Sequence, residues 1–375
     1  MKTRDQISAS QLRALCAMLL LSPALRFCPG ASIAAAGRAA WLSMLAALPP
    51  LLAYAVFLRR FLSCRGEGEG LAELCLRAAG EKGGKPLLLG MALWLSFYAG
   101  FVLRAGAERF ITTIYPHAGP AFFVAALGLA AALAALGPAR TLARTAGLVR
   151  PLLVGALAII LLTALSSSQK ENLLPVTARE LRPLLAGSLP AVDVLLAALT
   201  LAAFFSGLLP EGAGGFRPWA RWLLGAVGFL CLLNAAILGN FGAELAARLT
   251  RPFFYLVRNL VFFRSVERVE ALMVALWVFP DFLLAAAALF AAQLCLRRAF
   301  GRASVWQGEK LFALGHGRWM IPLCSLAAIA AALWMAPDQK SFLFLSDRLV
   351  PALNLSFSLL VLPALYIIGK KKQRL

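Results

Sequence analysis

Long apolar stretches separated by short polar connectors dominate the chain. A membrane-spanning helix needs about 20 mostly apolar residues, and ten stretches come close to that length. They cover residues 11–30, 38–58, 86–103, 120–136, 147–165, 188–209, 218–238, 271–296, 318–335 and 350–368. An eleventh stretch, 244–263, alternates apolar residues with arginines and is too charged to span. We expect it to lie in the interface or to re-enter the membrane.

The first stretch has two interpretations. A short basic start with Lys2 and Arg4, followed by an apolar run and the small residues 34–36, is typical of a secretory signal peptide. Against cleavage, Arg26 interrupts the apolar run, and a second stretch follows almost at once. The pattern therefore favours a first stretch that is retained as a membrane helix.

The composition excludes water-soluble and disordered classes of protein. Of 375 residues, 61% are hydrophobic and 14% charged, against about half and about a quarter in soluble domains. The net charge of +20 does not indicate a nucleic-acid partner, because Lys and Arg occur in short groups between apolar stretches. Placing both termini in the cytoplasm puts most of these groups on that side, with the basic tail 370–375 as the clearest anchor.

No catalytic or cofactor-binding motif is recognisable. The chain contains no phosphate-binding loop, nucleophile elbow or metal signature, and its seven cysteines and two histidines are scattered. We therefore predict that the protein is not an enzyme, with no catalytic residue, metal site or cofactor.

Proline residues mark two places where the helices are expected to break. In transporters, interrupted helices present free backbone groups to solute near the bilayer midplane. Pro23 and Pro29 each remove a backbone donor from the first stretch, which predicts either unwinding over residues 22–30 or a kink with a helix end at residues 29–30. The sixth stretch follows Pro183, contains Pro190 and ends at Pro210.

Several polar residues within the apolar stretches leave alternatives open. Asp193 is interpreted as a first-turn cap, while Thr200 and Ser206 either bind solute or bond back to the preceding turn. Asp281, after Pro280, is a candidate functional acid because a charge in lipid is costly; the alternative is a break at Pro280 that admits water or a neighbouring helix.

Two further groups are interpreted as structural. Residues 104, 108 and 109 have helical spacing, which allows an ion pair, although a solvated helix end is the preferred interpretation. Asn234 is expected to form an interhelical hydrogen bond. Trp277 is interpreted as a packing residue.

One region carries a family resemblance. Residues 241–245 and 251–253 lead into a Glu-Arg-x-Glu segment and a tryptophan in the next apolar stretch; the motif residues are Glu244, Pro252, Glu267, Arg268, Glu270 and Trp277. Supporting matches occur at 7–11, 172–176, 209–211 and 337–338. In this ordered set the chain resembles the spore germination permeases, the B subunits of nutrient germinant receptors.

The resemblance implies an all-α polytopic membrane protein with ten transmembrane helices, related to the amino acid–polyamine–organocation transporters. Its LeuT-like fold would contain two inverted five-helix repeats, about 8–165 and 183–335, with helices 9 and 10 completing the bundle to residue 369. The broken first and sixth helices would hold the solute. The matching positions are Ser22, Pro23, Ala24, Leu25, Thr200, Ala203 and Phe204.

The resemblance also implies partners and a location. Members of the family lie in the inner membrane of endospores with an A-type subunit and a lipoprotein C-type subunit, and are thought to sense a small nutrient such as an amino acid. This chain lacks the usual acid near residues 202–204, which favours an apolar or unusual effector. The alternatives are a secondary amino-acid transporter and a structural receptor subunit with a degenerate pocket.

Overall fold

Helices form the framework of the protein. The computed structural model describes residues 6–66, 69–113, 115, 117–174, 181–210, 215–259, 269–300, 319–335 and 339–374, and no strand occurs in these ranges. The α-helices are α1 (Ala9–Arg26), α2 (Cys28–Ala36), α3 (Ala40–Ala46), α4 (Leu48–Leu62), α5 (Leu71–Thr113), α6 (Pro120–Leu136), α7 (Ala139–Ser166), α8 (Leu181–Ala203), α9 (Phe216–Arg248), α10 (Pro252–Asn259), α11 (Val269–Ala299), α12 (Met320–Trp334), α13 (Gln339–Phe344), α14 (Val350–Ser356) and α15 (Leu362–Lys371).

Short 3₁₀-helical and π-helical segments connect some of these helices. A 3₁₀ helix at Phe204–Leu208 continues α8, and others cover Gly37–Ala39 and Lys170–Asn172. Two π-helical segments, Leu345–Leu349 and Phe357–Val361, join α13, α14 and α15 into one long helix.

The helices are long and apolar enough for a polytopic membrane protein. Among the described residues, seven segments meet the length and hydropathy of a span, and α6 and α12 are shorter apolar helices. The seven are Cys28–Leu62, Leu71–Thr112, Ala139–Ser166, Leu181–Leu208, Phe216–Arg248, Trp277–Ala299 and Ser341–Lys371. The outward faces carry large apolar side chains, such as Phe122 and Leu148, which a bilayer rather than water would cover.

Charged connectors extend several helices beyond the apolar stretches. Helix α6 coincides with the expected 120–136, but α5 begins at Leu71 rather than at residue 86 and bends at Gly80, where φ is 76°. The expected interfacial stretch 244–263 is wrong as a single element. Its start belongs to α9, which bends at Gly242 (φ 72°), α10 forms a separate helix, and residues 260–263 lie outside the described residues.

Helices α8 and α11 form the centre of the molecule. In their apolar windows 89% and 83% of residues are buried, against 28% for α7 and for the final helix. Helix α11 packs along α5 and against α1, and α8 packs against α1 and α2. The residues that these helices direct inward are therefore the ones in a position to form a site.

Candidate functional site

The first helix is interrupted at one residue, Phe27. Helix α1 runs through Pro23 to Arg26, α2 begins at Cys28, and the Phe27 N–H donates to the Pro23 carbonyl at 2.9 Å. Pro29 lies in the first turn of α2, where a missing N–H costs little. The helix is therefore broken within the expected segment 22–30, but only at Phe27. The alternative, a helix end at residues 29–30, is wrong, because Pro29 lies in the first turn of α2.

The four candidate residues of the first helix lie inside α1. Ser22, Pro23, Ala24 and Leu25 are all buried. The Ser22 hydroxyl donates to the Asp281 carboxylate of α11, and Ala24 and Leu25 belong to the packed core. This part of α1 thus contacts neighbouring helices, and only Ser22 contributes to a polar site.

Asp281 lies at the centre of a buried ion-pair cluster. Arg109 of α5 approaches its carboxylate at 3.0 Å and Arg26 of α1 at 3.5 Å, and all three residues are at most 4% exposed. Helix α11 continues through Pro280, so the expected break there is wrong; neighbouring helices supply the countercharge. Arg26 is buried beside Asp281, so its guanidinium does not extend to the surface of the protein.

A second carboxylate extends this cluster. Glu108 pairs with Arg104 in the same helix at 3.0 Å and with Arg251 at 2.8 Å. Arg104 and Glu108 are buried, so the preferred interpretation of this segment as a solvated helix end is wrong and the i,i+4 ion pair is present. Arg251 immediately precedes α10, so the pair fastens the connector before α10 to α5.

Aromatic rings surround the arginines. The Arg109 guanidinium lies over the rings of Phe254 and Trp277 at 5.4 and 5.7 Å, and Trp277 packs against Phe253 at 5.2 Å. Such contacts are worth about 0.5–2 kcal/mol, most when desolvated. Trp277 therefore holds α10 and Arg109 against α11.

A largely apolar cavity of about 670 Å³ lies between α5, α8 and the segment from Leu349 to Val361. Two of the candidate residues, Thr200 and Phe204, line it, while Ala203 is buried in the core. The other principal lining residues are Met91, Trp94, Phe97, Tyr98, Leu201, Asn354, Phe357 and Ser358. Its volume lies in the range of pockets that hold small molecules.

The polar residues of the cavity wall are linked to one another. The Thr200 hydroxyl forms hydrogen bonds with the Tyr54 hydroxyl of α4 and, at 3.1 Å, with Ser358. Thr200 thus joins three segments of the chain, which a bond back to its own preceding turn would not do. Tyr54 and Ser358 were not anticipated from the sequence, since they lie far from Thr200 along the chain.

Asp193 lies in the middle of α8, not at its start. The helix begins twelve residues earlier, at Leu181, so the expected capping role is wrong. Asp193 is 6% exposed, the Asn354 side chain hydrogen-bonds to its carboxylate, and Oδ1 has no hydrogen-bond partner among the described residues.

The other two polar expectations have different outcomes. Neither side-chain polar atom of Asn234 has a hydrogen-bond partner in the described part of the chain, so the interhelical bond expected there does not form. The Ser206 hydroxyl also lacks a partner within that part, although the Ser206 carbonyl accepts a hydrogen bond from Arg65.

Within the described ranges, no group of three or more His, Cys, Asp or Glu residues is arranged to hold a metal ion. All seven cysteines are free thiols. What the structure brings together is an ion-paired cluster around Asp281 and a largely apolar cavity beside α8.

Comparison with known proteins decides the family. The spore germination permease model, described as a spore germination protein, matches residues 6–339. The chain belongs to this family. No curated protein matches the chain at a significant level. Together with its apolar helices, the match makes it a germination-related membrane protein of the permease type.

Some of the residues through which the chain resembles the spore germination family lie at the ion-paired cluster. Pro252 starts α10 and lies against Gly30 of α2, with its Cδ 3.6 Å from the position of a Cβ at Gly30. Trp277 contacts Arg109 as described, and Glu244 is exposed near the end of α9. Glu267, Arg268 and the side chain of Glu270 lie outside the described residues.

Proposed function

We propose that this protein is the solute-sensing membrane subunit of a spore germinant receptor. Its solute would be a small nutrient, bound beside the sixth helix, and binding would bias one of two arrangements of the bundle. A ligand does this only through different affinities for the two arrangements. The observation that carries the proposal is the cavity between α5, α8 and α14, on whose wall two candidate residues of the sixth helix, Thr200 and Phe204, lie.

The architecture that we propose has ten spans in two related halves. Helices α1 and α2 together count as one span, α3 and α4 as another, and α13 to α15 as a third. The other seven spans are α5, α6, α7, α8, α9, α11 and α12. Corresponding members of the halves then pack on each other: α1 on α8, α3 on α9, α5 on α11 and α6 on α12. This pairing favours a LeuT-like inverted repeat over about 8–165 and 183–335.

The proposed setting is the inner membrane of the endospore, with both termini in the cytoplasm. An A-type subunit and a lipoprotein C-type subunit would be the partners, as the family membership implies. In this setting solute binding would act on the partners and not on a bond in the solute.

A matched pair of substitutions in α8 tests the cavity. Ala197 lines it, whereas Ala186 lies in the same helix on an exposed face. We expect Ala197→Phe to raise the nutrient concentration for half-maximal germination by about tenfold or more, a binding loss of about 1.4 kcal/mol. Ala186→Phe should leave it unchanged, with both proteins present at equal levels in spore membranes.

Three outcomes separate the alternatives. If spores without the gene respond normally to every nutrient that triggers the parent, and no paralogue substitutes, the receptor proposal is wrong. If both variants behave like the parent while the deletion abolishes germination, the chain is a structural subunit. Accumulation of a labelled amino acid in proteoliposomes, driven by an ion gradient, would identify a transporter.

A further inference from the structure

Two arginines of the buried cluster share one carboxylate. Arg26 of α1 and Arg109 of α5 both direct Nη2 at Oδ2 of Asp281, at 3.5 and 3.0 Å, and Oδ1 accepts the Ser22 hydroxyl. Neither arginine has another ion pair in the described part of the chain. This part of the cluster therefore carries two positive charges against one negative charge.

The same two guanidinium groups keep hydrogen-bond donors without acceptors. Nε and Nη2 of Arg26 and all three nitrogens of Arg109 have no hydrogen-bond partner among the described residues, because the approach to Asp281 does not have hydrogen-bond geometry. Both side chains are only 2% exposed. A buried donor without an acceptor loses its hydration without replacement, and a buried charge is costly unless an opposite charge lies beside it. One excess charge and several free donors thus occur at the same place.

Aromatic rings cover the arginines but do not supply acceptors. Arg109 lies over the rings of Phe254 and Trp277 at 5.4 and 5.7 Å, and Arg26 lies over the ring of Phe27 at 5.6 Å. A ring attracts the positive charge, whereas the N–H donors of a guanidinium lie in its own plane and need an acceptor there. The group that completes this site must therefore accept hydrogen bonds and carry a negative charge.

The surroundings favour a small anion with a single charge. One excess positive charge is balanced by one negative charge. A Cβ at Gly106 of α5 would lie 3.2 Å from Oδ2 of Asp281 and 3.2 Å from the Leu127 side chain, so the helices are closely packed beside the carboxylate. A doubly charged oxyanion such as sulfate is larger and loses much more hydration on burial than chloride does. A halide is the anion that fits both the charge and the packing.

We propose that Arg26 and Arg109 bind a chloride-sized inorganic anion that completes the charge balance of the cluster around Asp281. The ion joins α1, immediately before its interruption at Phe27, to α5 and α11. None of these residues lines the cavity between α5, α8 and α14, so the site is distinct from the proposed solute cavity and does not depend on the proposed function. Its occupancy makes the packing of three helices depend on the anion in the surrounding solution.

Thermal unfolding of the purified full-length protein in phosphatidylcholine nanodiscs tests the anion. Sodium chloride would be compared with bromide, sulfate, acetate and the bulky anion gluconate at equal ionic strength. Reaction of a maleimide dye with the buried thiols of Cys16, Cys75 and Cys295 reports unfolding. Relative to gluconate, we expect chloride to raise the Tm saturably, by about 2–3 °C once it exceeds its dissociation constant about tenfold. Bromide should replace chloride, whereas sulfate and acetate should not.

Three variants change the charge of the cluster in different ways. Arg26→Met leaves Arg109 and Asp281 as a balanced pair, so it should abolish the chloride shift without lowering the Tm in gluconate. Asp281→Asn adds a second excess charge and should enlarge the chloride shift, even though the protein itself is less stable. Arg221→Met changes an exposed arginine of α9 and, as the control, should keep the parental shift.

A binding measurement on the unmodified protein removes the dependence on variant folding. The line width of the chlorine NMR signal increases when chloride exchanges between solution and a protein site, and empty nanodiscs supply the baseline. The parent protein should broaden the signal above this baseline, and bromide should reverse the broadening whereas gluconate should not. Arg26→Met should lose the effect and Arg221→Met should retain it.

Three results would overturn the inference. If neither the Tm nor the line width of the parent depends on chloride, the cluster takes no external anion. If Arg26→Met and Arg221→Met respond to chloride alike, the anion acts elsewhere on the protein. If acetate stabilises the parent more than chloride does and Arg26→Met abolishes the effect, the site takes a carboxylate rather than a halide. None of these results bears on the solute cavity, which the Ala197→Phe and Ala186→Phe pair tests separately.

Discussion

At the scale of single residues, the partners of a buried acid decide its role. Asp193 and Asp281 both lie in membrane helices at similar burial. Asp281 is held by two guanidinium groups and the Ser22 hydroxyl, so its charge is used within the fold. Among the described residues, Asp193 forms no ion pair and its Oδ1 has no hydrogen-bond partner, so its charge is not used in this way.

The Asp281→Asn substitution tests the structural role of the cluster. It leaves Arg26 and Arg109 buried without a carboxylate, and breaking a buried pair in this way costs about 3–5 kcal/mol. We expect a clearly lower Tm for the purified protein in detergent. Adding Arg26→Met should restore part of the loss, because one uncompensated charge is removed. Glu171→Gln, which changes an exposed acid, is the control and should keep the parental Tm. An Asp281→Asn protein that also kept the parental Tm would contradict this role.

At the scale of elements, close backbone approach sets where the helices meet. A Cβ at Gly100 of α5 would lie 2.4 Å from the carbonyl oxygen of Ala328 in α12, so glycine is required for this contact. Helix α5 also packs along α11, and it carries Arg104, Glu108 and Arg109. A displacement of α5 would therefore disturb both the ion-paired cluster and the cavity.

Two glycine-to-alanine substitutions separate this contact from helix propensity. Gly100→Ala should destabilise the protein by about 1–3 kcal/mol, because the added methyl group overpacks the interface with α12. Gly155→Ala in α7 meets no atom within 4 Å and should stabilise by about 0.5–1 kcal/mol through lower backbone entropy in the unfolded chain. Thermal unfolding of both variants in one detergent measures the difference, and equal shifts would argue against the close contact.

At the scale of the whole molecule, the basic connectors predict the orientation. Lys370, Lys371 and Lys372 follow the last apolar segment, and Arg374 donates to the carbonyl of Ala79 at 2.9 Å, beside the bend in α5. The tail and the start of α5 therefore lie on one side of the molecule. Positively charged connectors are retained in the cytoplasm, so we expect both to lie there.

Reporter fusions test this orientation. A green fluorescent protein joined after the tail should fluoresce, whereas alkaline phosphatase joined at His117, in the connector between α5 and α6, should be active outside the membrane. The matched fusions, phosphatase at the tail and fluorescent protein at His117, should both be inactive. The reverse pattern would invert the topology.

The sequence predicted the class of protein, the position of most apolar helices and the family. These follow from local causes: lipid acts on each stretch of about 20 residues separately, so composition and length suffice for α6 and nearly so for α12. The apolar pattern missed the polar start of α5, because a helix that extends beyond the lipid can continue through charged residues. Pro23 and Pro29 flank the interruption at Phe27, which is shorter than the expected unwound segment. Pro280 causes no break, because α11 continues through it.

The pairing of charges and the shape of the cavity were decided only by the tertiary structure. Arg26, Arg109 and Asp281 are distant in sequence, and nothing in their local spacing indicates that three different helices bring them within 3.5 Å. The same holds for Asp193 and Asn354. Burial makes an unpaired charge expensive, and burial is a property of the packed bundle. Residue types thus determined that the chain lies in a membrane, while helix packing determined which buried charges are paired.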